Sequence, residues 1–269
     1  MRSLLLFLLC LPVLTLHAAL PQEQRVVFLG DSITQGGAYV EFIDAALRAQ
    51  HPETKFEIIP LGLSSETVSG LSEDGHAGGK FPRPDLHERL DRVLEKAQPQ
   101  LVYACYGMND GIYYPLGDER FQAFKNGMKK LHDKVVATGV RIVHLTPPVF
   151  DPVPIKARVL PAGLDKYEKP FESYNTVLDA YAEWLLSMKT QGWEVLDIHG
   201  PFNAALAEKR KSDPEFTFSK DGIHPGPEGH LIMAGAVLRD WELKVKADGT
   251  PDHPNGAAIL SVIKKKHAI

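Results

Sequence analysis

From about residue 25 onward, short apolar runs alternate with longer amphipathic stretches, and this alternation narrows the possible folds more than any other property of the chain. The short runs are 26–29, 56–60, 101–105, 141–146 and 194–198, and four of them are almost continuously apolar, as strands covered on both faces must be. Helical periodicity fills 40–49, 85–97, 118–138 and 170–190, then 202–211 and 228–246 after the last run. Strand–helix units of about 25 residues require crossover connections, which are right-handed and lay the strands parallel. The expected class is α/β, in three layers. The connections 71–84 and 150–161 are longer than a crossover needs, and long loops at the carboxyl ends of parallel strands commonly rim a site.

The two ends of the chain read differently from its middle. Arg2, the apolar stretch 4–16 and the small residues Ala18 and Ala19 predict a secretory signal peptide over residues 1–19, with an apolar core short of the roughly 20 residues of a membrane span. The expected location is periplasmic or extracellular, with no stable membrane insertion once the segment is removed. Its loss takes Cys10 with it and leaves Cys105 as the single cysteine, placed in an apolar run where it reads as a packing residue. The domain is expected over 20–246, and 247–269, with Pro251 and Pro254, reads as a surface tail. The net charge of −4, from 30 Lys and Arg against 34 Asp and Glu, lacks the basic footprint of a nucleic-acid binder. Small-molecule or oligosaccharide substrates are the expected partners.

Four polar segments follow four of the expected strands. Gly30-Asp31-Ser32 ends the first, and Ser32-Ile33-Thr34-Gln35 matches a capping box, in which Ser32 would cap the next helix. The same position also presents a hydroxyl at a helix amino terminus, where negative charge is favoured. A serine needs a base to act as a nucleophile. In KDGIHPGPEGH, Asp221 and His224 lie three apart before a helix, so one turn lets the carboxylate orient the imidazole. Asn109, in Gly107-Met108-Asn109-Asp110-Gly111, is placed to donate its amide to an oxyanion, with Gly107 allowing close backbone approach. The fourth segment, 61–67, offers backbone N–H groups after the second strand. No metal or cofactor is called for: His224 and His230 do not share a helix face, and neither a Walker pattern nor G-x-G-x-x-G opens a strand–helix turn.

Together these blocks resemble the SGNH hydrolases, the esterase family also called GDSL, over roughly residues 25–240. The resemblance implies a flavodoxin-like sheet of five parallel strands in the order 2-1-3-4-5. It implies Ser32 as nucleophile, His224 as general base and then acid, Asp221 as its partner, and Ser32 and Asn109 as oxyanion donors, with Asp31, Gly62 and Gly107 in support. In many members the second block reads Ser-Gly-Asp-Thr; here it is Ser64-Ser65-Glu66-Thr67, so Ser65 stands where the donor glycine does. A positive φ at Ser65 would carry strain of about 1–3 kcal/mol. The expected activity is ester hydrolysis through an acyl-enzyme, most readily of O-acetyl groups on carbohydrate, with Phe81, Tyr113, Tyr114 and Phe150 as rim residues for sugar rings. An arylesterase or a lysophospholipase- or thioesterase-like hydrolase uses the same machinery. An inactive carbohydrate-binding protein is the alternative from another class, and it places no demand on the full Ser32, Asp221, His224 set.

Overall fold

The computed structural model describes residues 25–267, so the expected signal segment lies outside the described residues. In chain order the elements are β1 (Arg25–Gly30), α1 (Ser32–Gly36), α2 (Ala38–Gln50), β2 (Glu57–Gly62), α3 (Leu86–Ala97), β3 (Leu101–Cys105), α4 (Asp118–Ala137), β4 (Arg141–Leu145), α5 (Asn175–Ser187), β5 (Glu194–Leu196), α6 (His199–Arg210), α7 (Pro227–Asp240) and α8 (Gly256–His267). The strands form one parallel sheet in the order β2-β1-β3-β4-β5. Right-handed crossovers place α2 on one face and α3, α4 and α5 on the other. On the first face α2 packs against both α7 and α8; on the second α3 packs beside α4.

Burial explains the order. β1 and β3 are apolar and buried almost throughout, and they occupy interior positions. β2 contains Pro60, which has no N–H to give a second neighbour, and it lies at an edge. Phe28 of β1 stacks on Tyr103 of β3 at 5.0 Å, and Trp241 just beyond α7 meets Tyr103 edge-on at 5.6 Å. Gly62 ends β2 against the backbone of α1: a Cβ there would fall 2.1 Å from the Gln35 nitrogen. The close approach of two backbones, more than a turn, is what requires glycine at this point.

Three boundaries differ from the periodicity. The first helix is two, divided at Gly37 in the left-handed region. β5 stops at Leu196 because the Ile198 and His199 N–H groups both donate to Thr146 Oγ1, starting α6. The segment 247–269 is not a surface tail: it carries α8, whose Leu260 and Ile263 are buried.

A buried carboxylate fixes that helix. Asp44 of α2 is fully buried and accepts hydrogen bonds from Arg48 Nε at 2.8 Å, Lys266 Nζ at 2.9 Å and His267 Nε2 at 3.0 Å. Burial by itself would raise the Asp44 carboxyl; the bonds from His267 and Lys266 and the charges of Lys266 and Arg48 override it and hold the group below its ordinary range. A depressed carboxyl stabilises the fold above its unfolded pKa, and that contribution disappears as pH falls through the folded value. Asp44→Ala is therefore expected to cost about 2–4 kcal/mol in urea denaturation at neutral pH. The difference from wild type should shrink as pH is lowered through and below about 4.

Candidate active site

The polar segments converge beyond the carboxyl edge of the sheet. β1 ends at Gly30, and Asp31, in extended conformation, caps α1: its Oδ1 accepts from the Ile33 N–H at 2.9 Å. The capping-box expectation is thus corrected by one residue. Ser32 is the first residue of the helix instead of its cap, and its Oγ lies 2.8 Å from His224 Nε2. Gln35 does not reach back either. Its Oε1 accepts from the backbone N–H and the hydroxyl of Ser64, both at 2.7 Å, and so ties α1 to the loop after β2.

His224 is held by a compact turn before α7. Asp221 Oδ1 accepts from the N–H groups of Ile223 and His224, at 3.0 and 2.8 Å, and its Oδ2 lies 2.7 Å from His224 Nδ1. Burial raises the Asp221 carboxyl, but the backbone and side-chain bonds from His224 and the Ile223 N–H more than offset it, so the group sits below its ordinary range. A charged carboxylate can only accept, which fixes the proton on Nδ1 and leaves Nε2 free to accept from Ser32. Gly222, at φ 81, lets this turn approach the backbone beyond β4: its carbonyl accepts from the Asp151 N–H, and a Cβ would lie 2.5 Å from the Asp151 oxygen. Asp151 is in turn clamped by both oxygens to Arg210 and by Thr217. Sequence reasoning missed this support because Asp151, Arg210 and Thr217 carry no local signature.

Asn109 is 4% exposed and follows Gly107, whose φ of 133 few other residues adopt. Its Nδ2 lies 3.3 Å from both Asp31 Oδ2 and the Glu66 carbonyl. Its Oδ1 accepts from Arg83 Nη1 at 3.0 Å and the Tyr113 hydroxyl at 3.1 Å. The neighbouring Asp110 pins the second loop by accepting from the Val68 and Ser69 N–H groups, both at 2.8 Å. Burial raises its carboxyl to about 6 against those backbone donors. Asp31 is pushed further, to about 7: burial leads, the Ile33 N–H opposes, Asp110 adds repulsion, His224 opposes and Glu66 adds again.

Ser65 has φ 65, the left-handed conformation whose strain was anticipated for a residue with a Cβ. The adjacent Glu66 is fully buried, paired with Arg89 at 2.5 and 2.7 Å and bonded by the Tyr106 hydroxyl at 2.7 Å. These contacts over-determine the loop and make the strained angle tolerable.

The rim residues separate. Phe81 is 57% exposed and meets His76 edge-on. Tyr113 and Tyr114 are half-buried and line, with Glu73, Tyr167 and Lys169, a cavity of about 480 Å³. Phe150 is not a rim residue. It is 1% exposed, packed edge-on against Tyr174, because its N–H is drawn inward to Asn175 Oδ1. On the other side of the site, Asp221 and His224 border a groove of about 570 Å³ whose other walls include Phe216, Phe218 and Pro227.

Comparison with known proteins identifies the family to which this fold belongs. The model of the GDSL-like Lipase/Acylhydrolase family matches residues 28–232, a span that holds Ser32, Ser65, Asn109, Asp221 and His224. An acetylxylan esterase of Geobacillus stearothermophilus is 24% identical over 237 residues, covering 81% of this chain and 93% of its own length. A GDSL esterase/lipase of Arabidopsis thaliana is 28% identical over 166 residues, covering 56% of this chain and 59% of that protein. Among solved structures, the Geobacillus stearothermophilus acetylxylan esterase superposes with a TM-score of 0.60 at 20% identity over 83% of this chain and 96% of its own. A gut microbial diltiazem-metabolizing enzyme gives 0.62 at 25% identity over 82% of this chain, which spans 47% of that one. The chain therefore belongs to the GDSL-like lipase/acylhydrolase family and is a hydrolase of ester bonds.

Proposed function

We propose that this protein is an exported serine esterase that removes O-acetyl groups from carbohydrate through an acyl-enzyme. The observation that carries the mechanism is the unbroken relay from Asp221 Oδ2 through the imidazole to Ser32 Oγ, with links of 2.7 and 2.8 Å. Ser32 Oγ attacks the ester carbonyl while His224 Nε2 takes its proton, and Asp221 stabilises the imidazolium that forms. The oxyanion is received by the backbone N–H groups of Ser32 and Ser65 and by Asn109 Nδ2. His224 then protonates the departing alcohol. Water, deprotonated by the same nitrogen, releases the acid.

Asp31 fits this scheme as a buried acid beside the oxyanion donor. A carboxyl raised to about 7 is partly neutral near pH 7, so there it repels a developing oxyanion less than an ordinary aspartate would. The acetyl–carbohydrate reading is supported by the relative named acetylxylan esterase, which this chain matches over nearly its whole length. Export is supported by the sequence pattern of residues 1–19. A second reading, hydrolysis of aryl or longer acyl esters, is favoured by the groove beside His224 with its phenylalanine and proline walls.

Ser32→Ala is expected to lower kcat on 4-nitrophenyl acetate by about 10³-fold or more with the fold intact by circular dichroism. On a panel of acetylated xylo-oligosaccharides, aryl acetates and octanoyl esters, kcat/KM should be highest for the acetylated sugars; preference for octanoyl esters selects the second reading. Asp31→Asn keeps a capping oxygen but removes the buried acid. Because the wild-type folded state holds a proton that the unfolded chain releases, wild type loses stability between about pH 4 and about pH 7. The variant's stability relative to wild type should rise by about 1–3 kcal/mol across that interval and stay level above it, as read by denaturant titration at each pH.

A further inference from the structure

We propose that Arg83, gripped by Glu73 and assisted by Tyr113, is a positioning residue that sets which end of the Asn109 amide faces the substrate. The proposal rests on the reading of Asn109 as an oxyanion donor. A side-chain amide has nearly the same shape either way round, and only its partners decide whether oxygen or nitrogen is presented. Guanidinium has no acceptor, so the atom of Asn109 that meets Arg83 Nη1 at 3.0 Å must be the oxygen. The Tyr113 hydroxyl adds a second contact to the same oxygen at 3.1 Å. The nitrogen is left with two long contacts of 3.3 Å, to Asp31 and to the Glu66 carbonyl. Asn109 is thus anchored by its oxygen and loosely held at its nitrogen, which is the arrangement a donor needs if it is to shorten its bond to an oxyanion as charge develops. The charged donor on the oxygen also polarises the N–H groups at the far end of the amide.

The brace is built at some cost. Arg83 has a side chain 6% exposed, and its Nε and Nη2 form a fork onto Glu73 at 2.6 and 2.7 Å. That fork fixes the guanidinium plane and leaves Nη1 for Asn109, with the Ser65 carbonyl 3.4 Å away. The Ser65 contact is too long to share this role, so the guanidinium acts through Asn109. Tyr113 arrives by a strained route: Ile112 and Tyr113, at φ 48 and 60, are consecutive left-handed residues, and the first is β-branched. Strain of this kind persists where the surroundings over-determine it. Here the Tyr113 ring is held against Tyr174 at 4.9 Å and under Arg83 at 5.4 Å. The long connection 71–84, read from sequence only as a rim, turns Glu73 and Arg83 inward.

A double-mutant cycle tests the proposal on the full chain with 4-nitrophenyl acetate. Arg83→Ala is expected to lower kcat by about 10–100-fold with KM changed by less than about threefold, because a misplaced donor harms the transition state more than the bound substrate. In an Asn109→Ala background the same substitution should cost less than about twofold, since no amide remains to be positioned. Tyr113→Phe, which keeps the ring, should give a smaller loss that also vanishes in that background. If Arg83→Ala fails to fold, Arg83→Lys enters the same cycle: it keeps the charge but cannot hold Glu73 by a fork and Asn109 together. An equal loss in both backgrounds, or wild-type kcat for the Arg83 variant, overturns the proposal while leaving the oxyanion reading intact. Wild-type kcat for Asn109→Ala overturns the oxyanion reading and this proposal with it.

Discussion

The hydrogen bond from the Ile33 N–H to Asp31 is the contact on which the site depends. A helix that starts directly after a buried strand must satisfy its first N–H groups within one or two residues. Because Asp31 does so with one oxygen, the Ser32 hydroxyl is released to face His224. The other oxygen of Asp31 reaches Asn109. One carboxyl group thus ends a strand, starts a helix and borders the proposed oxyanion site. Its burial among other carboxyls raises its pKa as a direct consequence of that placement.

The remaining segments are held by the same device, a buried acid spent on backbone or arginine. Asp110 ties the end of β3 to the loop after β2, Glu66 with Arg89 locks that loop, and Asp151 with Arg210 supports the turn that carries His224. Buried ion pairs are weak evidence for stability, since desolvation offsets much of their attraction. Their value here is geometric. Each acid has several fixed partners, so each loop has one position.

What could be read from the sequence follows the range of the interactions involved. The parallel sheet was legible because continuous apolar runs at crossover spacing leave few alternatives, and its order came with the family resemblance. The cap was misassigned by one residue because aspartate and serine are equally good N-caps, and only the distant histidine breaks the tie. The left-handed angle at Ser65 was visible as a risk, since a glycine is usual there. The helix over Gly256–His267 was not legible: two prolines and a lysine run look like a tail, and the partner that orders them is Asp44, 222 and 223 residues away. Arg83 and Glu73 were likewise silent, for an arginine among glycines and prolines carries no mark of the amide it will meet.

Ser32 and His224 are 192 residues apart along the chain and 2.8 Å apart in space. The entropic cost of closing a loop grows only slowly with its length, but contacts of such separation slow the search for the native state. A partly assembled sheet would therefore hold its hydroxyl and its imidazole in different neighbourhoods. The hydroxyl and the imidazole share one site only when both ends of the domain are docked on the same sheet.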